Sequence, residues 1–320
     1  MDKTALLVLA DRSVPELAML ERMPVSATVG TTLREIEPGA ANAEVILSWP
    51  GHRDLLEHIW EDLLRLRWIH CMWAGLDNFF FPALRESPLP VTNARGVFSE
   101  SLAEFVMAAV LFFAKDLRRM IRNQAAATWE PFDVEEISRQ TFGIIGYGSI
   151  GAAIARRAKA MGMRVLGLRR GAGGSSPDPL ADEVFSPQGK LEMIRRCDYL
   201  ALAAPLTPET RGILGAGEIE AMKPHAVVIN VGRGSLIDEP ALVKALQEGR
   251  IRGAALDVFE TEPLPPGHPL YRLENVLLSP HCADHTPTWL QDAIELFSDN
   301  LDRYRKGQPL RNVVDKRRGY

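Results

Sequence analysis

The chain has 320 residues, 46% hydrophobic and 24% charged, with a net charge of −4, which is enough for two globular domains with filled cores. Mild acidity argues against a nucleic-acid footprint, the basic tail Lys316-Arg317-Arg318 reading as a solvated terminus, and the longest apolar run, Phe105–Ala114, falls well short of the roughly 18 residues a membrane span needs. Three cysteines (Cys71, Cys197, Cys282) form neither an even framework nor a Cys-x-x-Cys pair, so disulfides and zinc are not expected; with Met1-Asp2-Lys3 running straight into a strand in place of a signal peptide, a cytoplasmic location is expected.

The first third alternates apolar strands with amphipathic stretches. Ala5–Ala10, Ala43–Trp49, Trp68–Trp73 and Val91–Asn93 read as strands and Asp54–Leu66 as a helix between the second and third, a small α/β unit of its own. Ser99–Arg122 then reads as one long helix in which Ser101-x-x-Glu104 is shaped like a capping box. Its apolar residues (Leu102, Phe105, Val106, Met107, Val110, Leu111, Phe112, Phe113) cover nearly the whole circumference. A helix apolar all round must be covered on every side, so burial against a second subunit is the preferred reading and an internal core helix the alternative.

The stretch that organises the rest is Thr141–Gly151, TFGIIGYGSIG, where Phe142, Ile144 and Ile145 meet Gly146-x-Gly148-x-x-Gly151 and then the helical pattern Ala152–Met161. Gly146 permits the turn, Gly148 presents no side chain to a pyrophosphate, and Gly151 lets the helix pack on the strand. The first free N–H groups of the helix, those of Ser149 and Ile150 among them, then point at the phosphates. With the following strand Arg164–Arg170 this makes a βαβ dinucleotide-binding unit.

Further strands are expected at Asp198–Pro205, Ala226–Gly232, Gly253–Phe259 and Val276–Ser279, with helices at Lys190–Arg196 and Glu239–Glu248 and a polar loop at Gly171–Pro179. These are the spacings of a doubly wound parallel sheet. The last helical pattern, Thr288–Arg305, lies outside this rhythm, so the chain is expected to cross back there. The expected domains are therefore residues 1–94 with 286–320, and 95–285, with hinges near Ala94–Phe98 and His285–Trp289.

Ligands in open parallel sheets sit beyond the carboxyl ends of the strands. Five stretches qualify: Ala74-Gly75-Leu76-Asp77, Ala204-Pro205-Leu206-Thr207-Pro208, Val231-Gly232-Arg233-Gly234, Asp257–Pro263 and Pro280-His281. An arginine, a glutamate and a histidine at one edge of one sheet form a candidate active site.

These stretches resemble the D-isomer-specific 2-hydroxyacid dehydrogenase family over nearly the whole chain, most strongly in NVGRGSLID (Asn230–Asp238), GAALDVFETEPLP (Gly253–Pro265) and LLSPHCADHT (Leu277–Thr286). Within it the glyoxylate and hydroxypyruvate reductases are nearest in flavour. The resemblance implies a two-domain α/β fold, a Rossmann doubly wound sheet plus a smaller flavodoxin-like substrate domain. It also implies a catalytic trio of Arg233, Glu262 and His281, a carboxylate-binding loop at Ala74-Gly75-Leu76, and a homodimer in which Ser99–Arg122 packs across the two-fold.

The chemistry reads independently of the name. A 2-oxo acid presents a carboxylate and a ketone oxygen that gains negative charge as hydride reaches the carbon. Arg233 supplies a planar fork for both. His281 gives the proton in reduction and removes it in oxidation, and Glu262 fixes the tautomer through the other ring nitrogen. Glu260 is the rival carboxylate; the resemblance aligns Glu262. The backbone N–H groups of Ala74, Gly75 and Leu76 make an anion-binding concavity. Trp49 has two readings, a cover over the bound acid or plain core packing.

For the cofactor, the end of the second strand of the nucleotide unit reads Leu168-Arg169-Arg170, with two guanidinium groups where NAD readers place an acid. NADP(H) is therefore expected over NAD(H), with NAD(H) still usable. The expected cofactor set is Gly146, Gly148, Ser149, Ile150, Gly151, Arg169, Arg170, Ala204, Pro205, Val231, Gly232 and Asp257, the last toward the nicotinamide amide, together with Ser101. Neither a metal, a nucleic acid nor a membrane is expected as a partner. The rival of another class is a non-enzymatic NAD(P)-sensing corepressor scaffold. A phosphoglycerate dehydrogenase is disfavoured by an end at Tyr320 without a regulatory domain, and a formate dehydrogenase by Glu262 where that chemistry uses glutamine.

Overall fold

Two all-parallel sheets organise the chain, and their inner strands are buried almost throughout, as strands covered on both faces are. The computed structural model describes residues 3–171 and 178–319. Residues 172–177 of the expected polar loop, and Met1 and Asp2 ahead of the first strand, lie outside the described residues. The chain divides into two units, Met1–Phe98 with Thr286–Tyr320, and Ser99–His285.

The first unit carries β1 (Thr4–Leu9), β2 (Val25–Gly30), β3 (Val45–Ser48), β4 (Trp68–Cys71) and β5 (Val91–Asn93) in the order β2-β1-β3-β4-β5. This is the flavodoxin-like order. In register, Leu7 lies beside Ile46 and Ile46 beside Ile69. On one face these residues pack against Ile36, Leu56 and Phe81. On the other, the helix Trp289–Arg305 stacks Phe297 on Trp68 at 5.4 Å between centroids. The C-terminal segment then returns to β5, where Val314 N–H donates to the Val91 carbonyl.

Among the elements here that go beyond the sequence reading are the 3-10 helix Pro15–Arg22, the short helix Pro82–Glu86, the edge strand β2 and the helix Leu33–Ala40. The strand is half polar (Ser26, Thr28) and the helix contains Pro38, so each carries a blunted signal. The expected helix Asp54–Leu66 is instead Arg53–His58 followed by a 3-10 turn, Trp60–Asp62. Leu56, Ile59, Leu63 and Leu66 are all buried at helical spacing, which a helix followed by tighter turns satisfies as well as a continuous helix does.

The second unit holds β6 (Thr141–Ile145), β7 (Arg164–Leu168), β8 (Glu183–Phe185), β9 (Tyr199–Leu202), β10 (Val227–Asn230), β11 (Gly253–Leu256) and β12 (Val276–Leu278), ordered β12-β11-β10-β9-β6-β7-β8. That is the doubly wound order with a seventh strand, and its direction reverses at β6. The edge strand β8 and the helix Ala216–Ala221 are additions to the sequence reading.

The expected helix Ser99–Arg122 is two helices, Ser99–Ala114 and Leu117–Ala125. Asp116 breaks it: its backbone is left-handed (φ 48°) and its Oδ1 accepts from Arg119 N–H at 3.3 Å, capping the second helix. The expected capping box does not form, because the first helix already starts at Ser99. Glu104 instead pairs with Arg157 (3.1 Å) and Glu100 with Arg156 and Arg157 (3.2 and 2.8 Å), fastening this helix to Ser149–Ala160. Leu102, Val106, Val110 and Phe113 are buried within the unit, whereas Phe105, Leu111 and Phe112 are half-buried. Packing inside the chain thus covers most of the apolar circumference.

Candidate active site

Every site-bearing stretch of the second unit lies at the carboxyl edge of its sheet. The glycine turn leaves β6, the next strand out. Gly146 has φ 94°, and a Cβ there would stand 2.3 Å from the Ala204 backbone nitrogen, so neither its conformation nor its surroundings admit a side chain. At Gly151 a Cβ would stand 2.6 Å from the Gly146 carbonyl oxygen. Gly148 differs: a Cβ would meet nothing within 4 Å. It is exposed, and the helix after it has no side-chain cap on its first turn. Open backbone N–H groups at a helix start, next to a glycine whose free space faces outward, fit a pyrophosphate. Ala204, Val231 and Gly232 follow β9 and β10; Val231 N–H donates to the Leu202 carbonyl, and a Cβ on Gly232 would come within 3.0 Å of the Ala204 carbonyl oxygen. Pro205 gives its carbonyl to Thr210 Oγ1 at 2.7 Å, which shapes the loop after β9.

The trio comes from three adjacent strands, β10, β11 and β12. Arg233 follows β10 in a loop pinned by Asn230, 1% exposed, whose Oδ1 accepts from Gly232 N–H (3.1 Å) and whose Nδ2 donates to the Arg233 carbonyl (2.9 Å). Arg233 Nη1 donates to the Gly232 carbonyl at 2.8 Å. His281 Nδ1 lies 2.7 Å from Glu262 Oε2, while Glu262 Oε1 accepts from Phe259 N–H at 2.9 Å. Both carboxylate oxygens are thereby fixed. With Nδ1–H directed at Glu262, the neutral ring keeps Nε2 as its acceptor and the imidazolium keeps it as a donor. The backbone N–H of the rival Glu260 donates to Glu239 Oε2 at 3.2 Å.

His281 has φ 52°, a conformation that a residue with a side chain adopts at a cost. Asp257, 1% exposed at the end of β11, sustains it. Its Oδ1 accepts from Ser279 Oγ (2.6 Å), Cys282 N–H (3.0 Å) and Ala283 N–H (3.1 Å), and its carbonyl accepts from His281 N–H (2.9 Å). Oδ1 is committed to this turn, so any hold on a nicotinamide amide falls to Oδ2. Ser101 also belongs to the turn, Oγ donating to the Ala283 carbonyl at 2.6 Å. Asn230 and Ser279 stand inside the quoted motifs, but their roles were not readable in the sequence, because their partners Gly232, Arg233 and Asp257 are set by the fold.

Arg169 and Arg170 follow β7, and Arg169 Nη1 lies 4.0 Å from Asp178 Oδ2. Among the thiols, Cys197 is pushed up to about 12 and Cys71 well above the ordinary range, both by burial, which keeps them protonated and inert. Cys282 is exposed. No group of ligands for a metal occurs among the described residues, and no helix there is long and apolar enough to cross a membrane.

In the first unit, Ala74-Gly75-Leu76 follows β4. Asn93 Nδ2 donates to the Ala74 carbonyl at 2.6 Å and the Leu76 side chain is fully buried, so this loop offers backbone and not side chain. Trp49 is 9% exposed, a burial that suits core packing, and its backbone N–H donates to the Leu9 carbonyl.

Residues 107–283 match the D-isomer specific 2-hydroxyacid dehydrogenase, NAD binding domain family. A glyoxylate reductase from Korarchaeum cryptofilum is 34% identical over 270 residues, covering 81% of this chain and 79% of that protein. A D-3-phosphoglycerate dehydrogenase from Methanocaldococcus jannaschii is 33% identical over 297 residues, 91% of this chain, which spans 55% of that longer protein. Among solved structures, an NADPH-dependent glyoxylate/hydroxypyruvate reductase from Sinorhizobium meliloti in complex with NADP and sulfate superposes with a TM-score of 0.87 at 26% identity, over 99% of this chain and 100% of that one.

Proposed function

The chain belongs to the D-isomer specific 2-hydroxyacid dehydrogenase family, and we propose that it reduces a small 2-oxo acid, of the size of glyoxylate or hydroxypyruvate, to the D-2-hydroxy acid with NADPH in preference to NADH. The bound cofactor supplies the hydride that reaches the ketone carbon. Arg233 binds the substrate carboxylate and draws charge onto the ketone oxygen. His281 Nε2 delivers the proton to that oxygen, and Glu262 holds the ring in the tautomer and orientation this needs. The observation that carries this reading is the 2.7 Å contact between His281 Nδ1 and a Glu262 carboxylate fixed at both oxygens. Gly146, Gly148, Ser149, Ile150 and Gly151 would hold the pyrophosphate, Ala204, Pro205, Val231 and Gly232 would line the cleft beside it, and Arg169 and Arg170 would read the 2′-phosphate. The Ser99–His285 unit is the cofactor domain in this reading. The other unit is the substrate domain, gripping the carboxylate with the backbone of Ala74, Gly75 and Leu76.

The same reading includes a homodimer in the cytoplasm. In favour of the dimer are the half-buried Phe105, Leu111 and Phe112, together with the exposed Ile121 and Trp129, the latter 98% exposed; sedimentation at graded concentrations tests it. In favour of the compartment are three free thiols. The activity is tested by following NADPH consumption with 2-oxo acids of graded length, 3-phosphohydroxypyruvate included. Glyoxylate or hydroxypyruvate is expected to give the highest kcat/KM. Preference for the phosphorylated acid would move the reading to a phosphoglycerate dehydrogenase, and negligible turnover with all of them to a binding protein.

A further inference from the structure

The end of β7 lacks the acid that grips ribose hydroxyls, yet folding brings one there from farther along the chain. Asp178 Oδ2 lies 4.0 Å from Arg169 Nη1, and the carboxylate is fixed on its other side, Oδ1 accepting from the Tyr147 hydroxyl at 3.0 Å and from Leu180 N–H at 2.9 Å. Its side chain is 15% exposed against 45% for Arg169. Tyr147 stands between the first two glycines of the turn and crosses β7 at Gly167, where a Cβ would stand 2.8 Å from the ring. Burial, and next the Asp178 carboxylate, hold its phenol above the usual tyrosine range, so it remains a donor to that carboxylate. The glycine turn and the arginine that follows β7 are thus joined through one carboxylate.

We propose that Asp178 is a specificity-determining residue that restrains the hold of Arg169 on a 2′-phosphate, keeping NADH usable by a site that otherwise favours NADPH. A phosphate bound by the Arg169 fork sits about 3 Å from it. With Asp178 Oδ2 4.0 Å from the same guanidinium, the two anions lie within about one Debye length, roughly 8 Å, of each other. The two anions compete for one guanidinium, and the like charges oppose each other. A ribose with a free 2′-hydroxyl meets no such opposition.

The inference rests on the reading of Arg169 as a 2′-phosphate contact, and the test separates the two. Dissociation constants for 2′,5′-ADP and ADP are measured by calorimetry on the full chain, with KM for NADPH and NADH alongside. Asp178→Asn keeps an acceptor for Tyr147 and Leu180 but removes the charge; it is expected to tighten 2′,5′-ADP by roughly three- to tenfold and to leave ADP unchanged. Asp178→Ser removes the same charge and replaces it should the asparagine variant not fold. Arg169→Met is expected to weaken 2′,5′-ADP selectively. If Arg169→Met weakens it while neither Asp178 variant tightens it, the role of Asp178 is wrong and the cofactor reading stands. If Arg169→Met changes nothing, both fall.

Discussion

Glu262 touches His281 with one oxygen and its own loop, through Phe259 N–H, with the other. An amide in its place keeps the shape but can present its NH2 to Nδ1 or to that N–H, and neither choice fixes the ring as the carboxylate does. Glu262→Gln should lower kcat with glyoxylate about 10- to 100-fold with KM changed less than threefold; steady-state kinetics on a variant with an unaltered melting temperature checks it. The placement of Arg233 and His281 at strand ends was legible because each stands just past an apolar run, whereas Glu262 was set apart from Glu260 by the family resemblance alone. Asp178 was not legible: it lies ten residues beyond the end of β7, past a polar loop, and only the fold sets it beside Arg169. Ser101 was expected at the cofactor; its bond to the Ala283 carbonyl, 182 positions away in sequence, was not legible.

At the scale of elements, the glycine turn makes two demands that substitution can separate. Gly146→Ala puts a methyl group against the Ala204 backbone in a left-handed conformation, and should cost about 2 kcal/mol or more of stability, seen as a lowered melting temperature. Gly148→Ala meets open space and, with φ −104°, avoids the left-handed strain at Gly146, although its ψ of −149° lies outside the extended region. It should lower the melting temperature less than Gly146→Ala does, yet bind NADPH at least about tenfold more weakly in a fluorescence titration, because the methyl group occupies the approach to the phosphates. Strands and helices with clean apolar periodicity were legible to within a few residues, Val91–Asn93 and Lys190–Arg196 to the residue. What was not legible was the break at Asp116. Apolar spacing continues across it, and the interruption comes from one backbone conformation and the cap it creates.

At the scale of the molecule, the order β8-β7-β6-β9-β10-β11-β12 gathers the glycine turn and all three catalytic candidates at one edge, and that edge was readable from strand spacing alone. The interior of the first unit was less readable. His70 is fully buried beneath Phe297 with Nδ1 2.7 Å from Thr92 Oγ1, and burial lowers its pKa from 6.5 to about 3. The folded form therefore holds it neutral, while the unfolded chain takes up the proton below about pH 6.5. Its contribution is complete above that pH and is lost as pH falls toward 3, by about 1.4 kcal/mol per pH unit. Urea denaturation at pH 7 and pH 5 should show a loss about 2 kcal/mol smaller in His70→Gln than in the wild type; equal losses would mean that His70 is not held neutral. The central claim is that His281 supplies the proton to a bound keto acid, and its most direct measurement is NADPH oxidation by glyoxylate with wild type and His281→Asn side by side. Wild type should turn over and the variant should lose a factor of about 10² to 10⁴ in kcat while still binding NADPH. A variant within a few fold of a turning-over wild type would contradict the account.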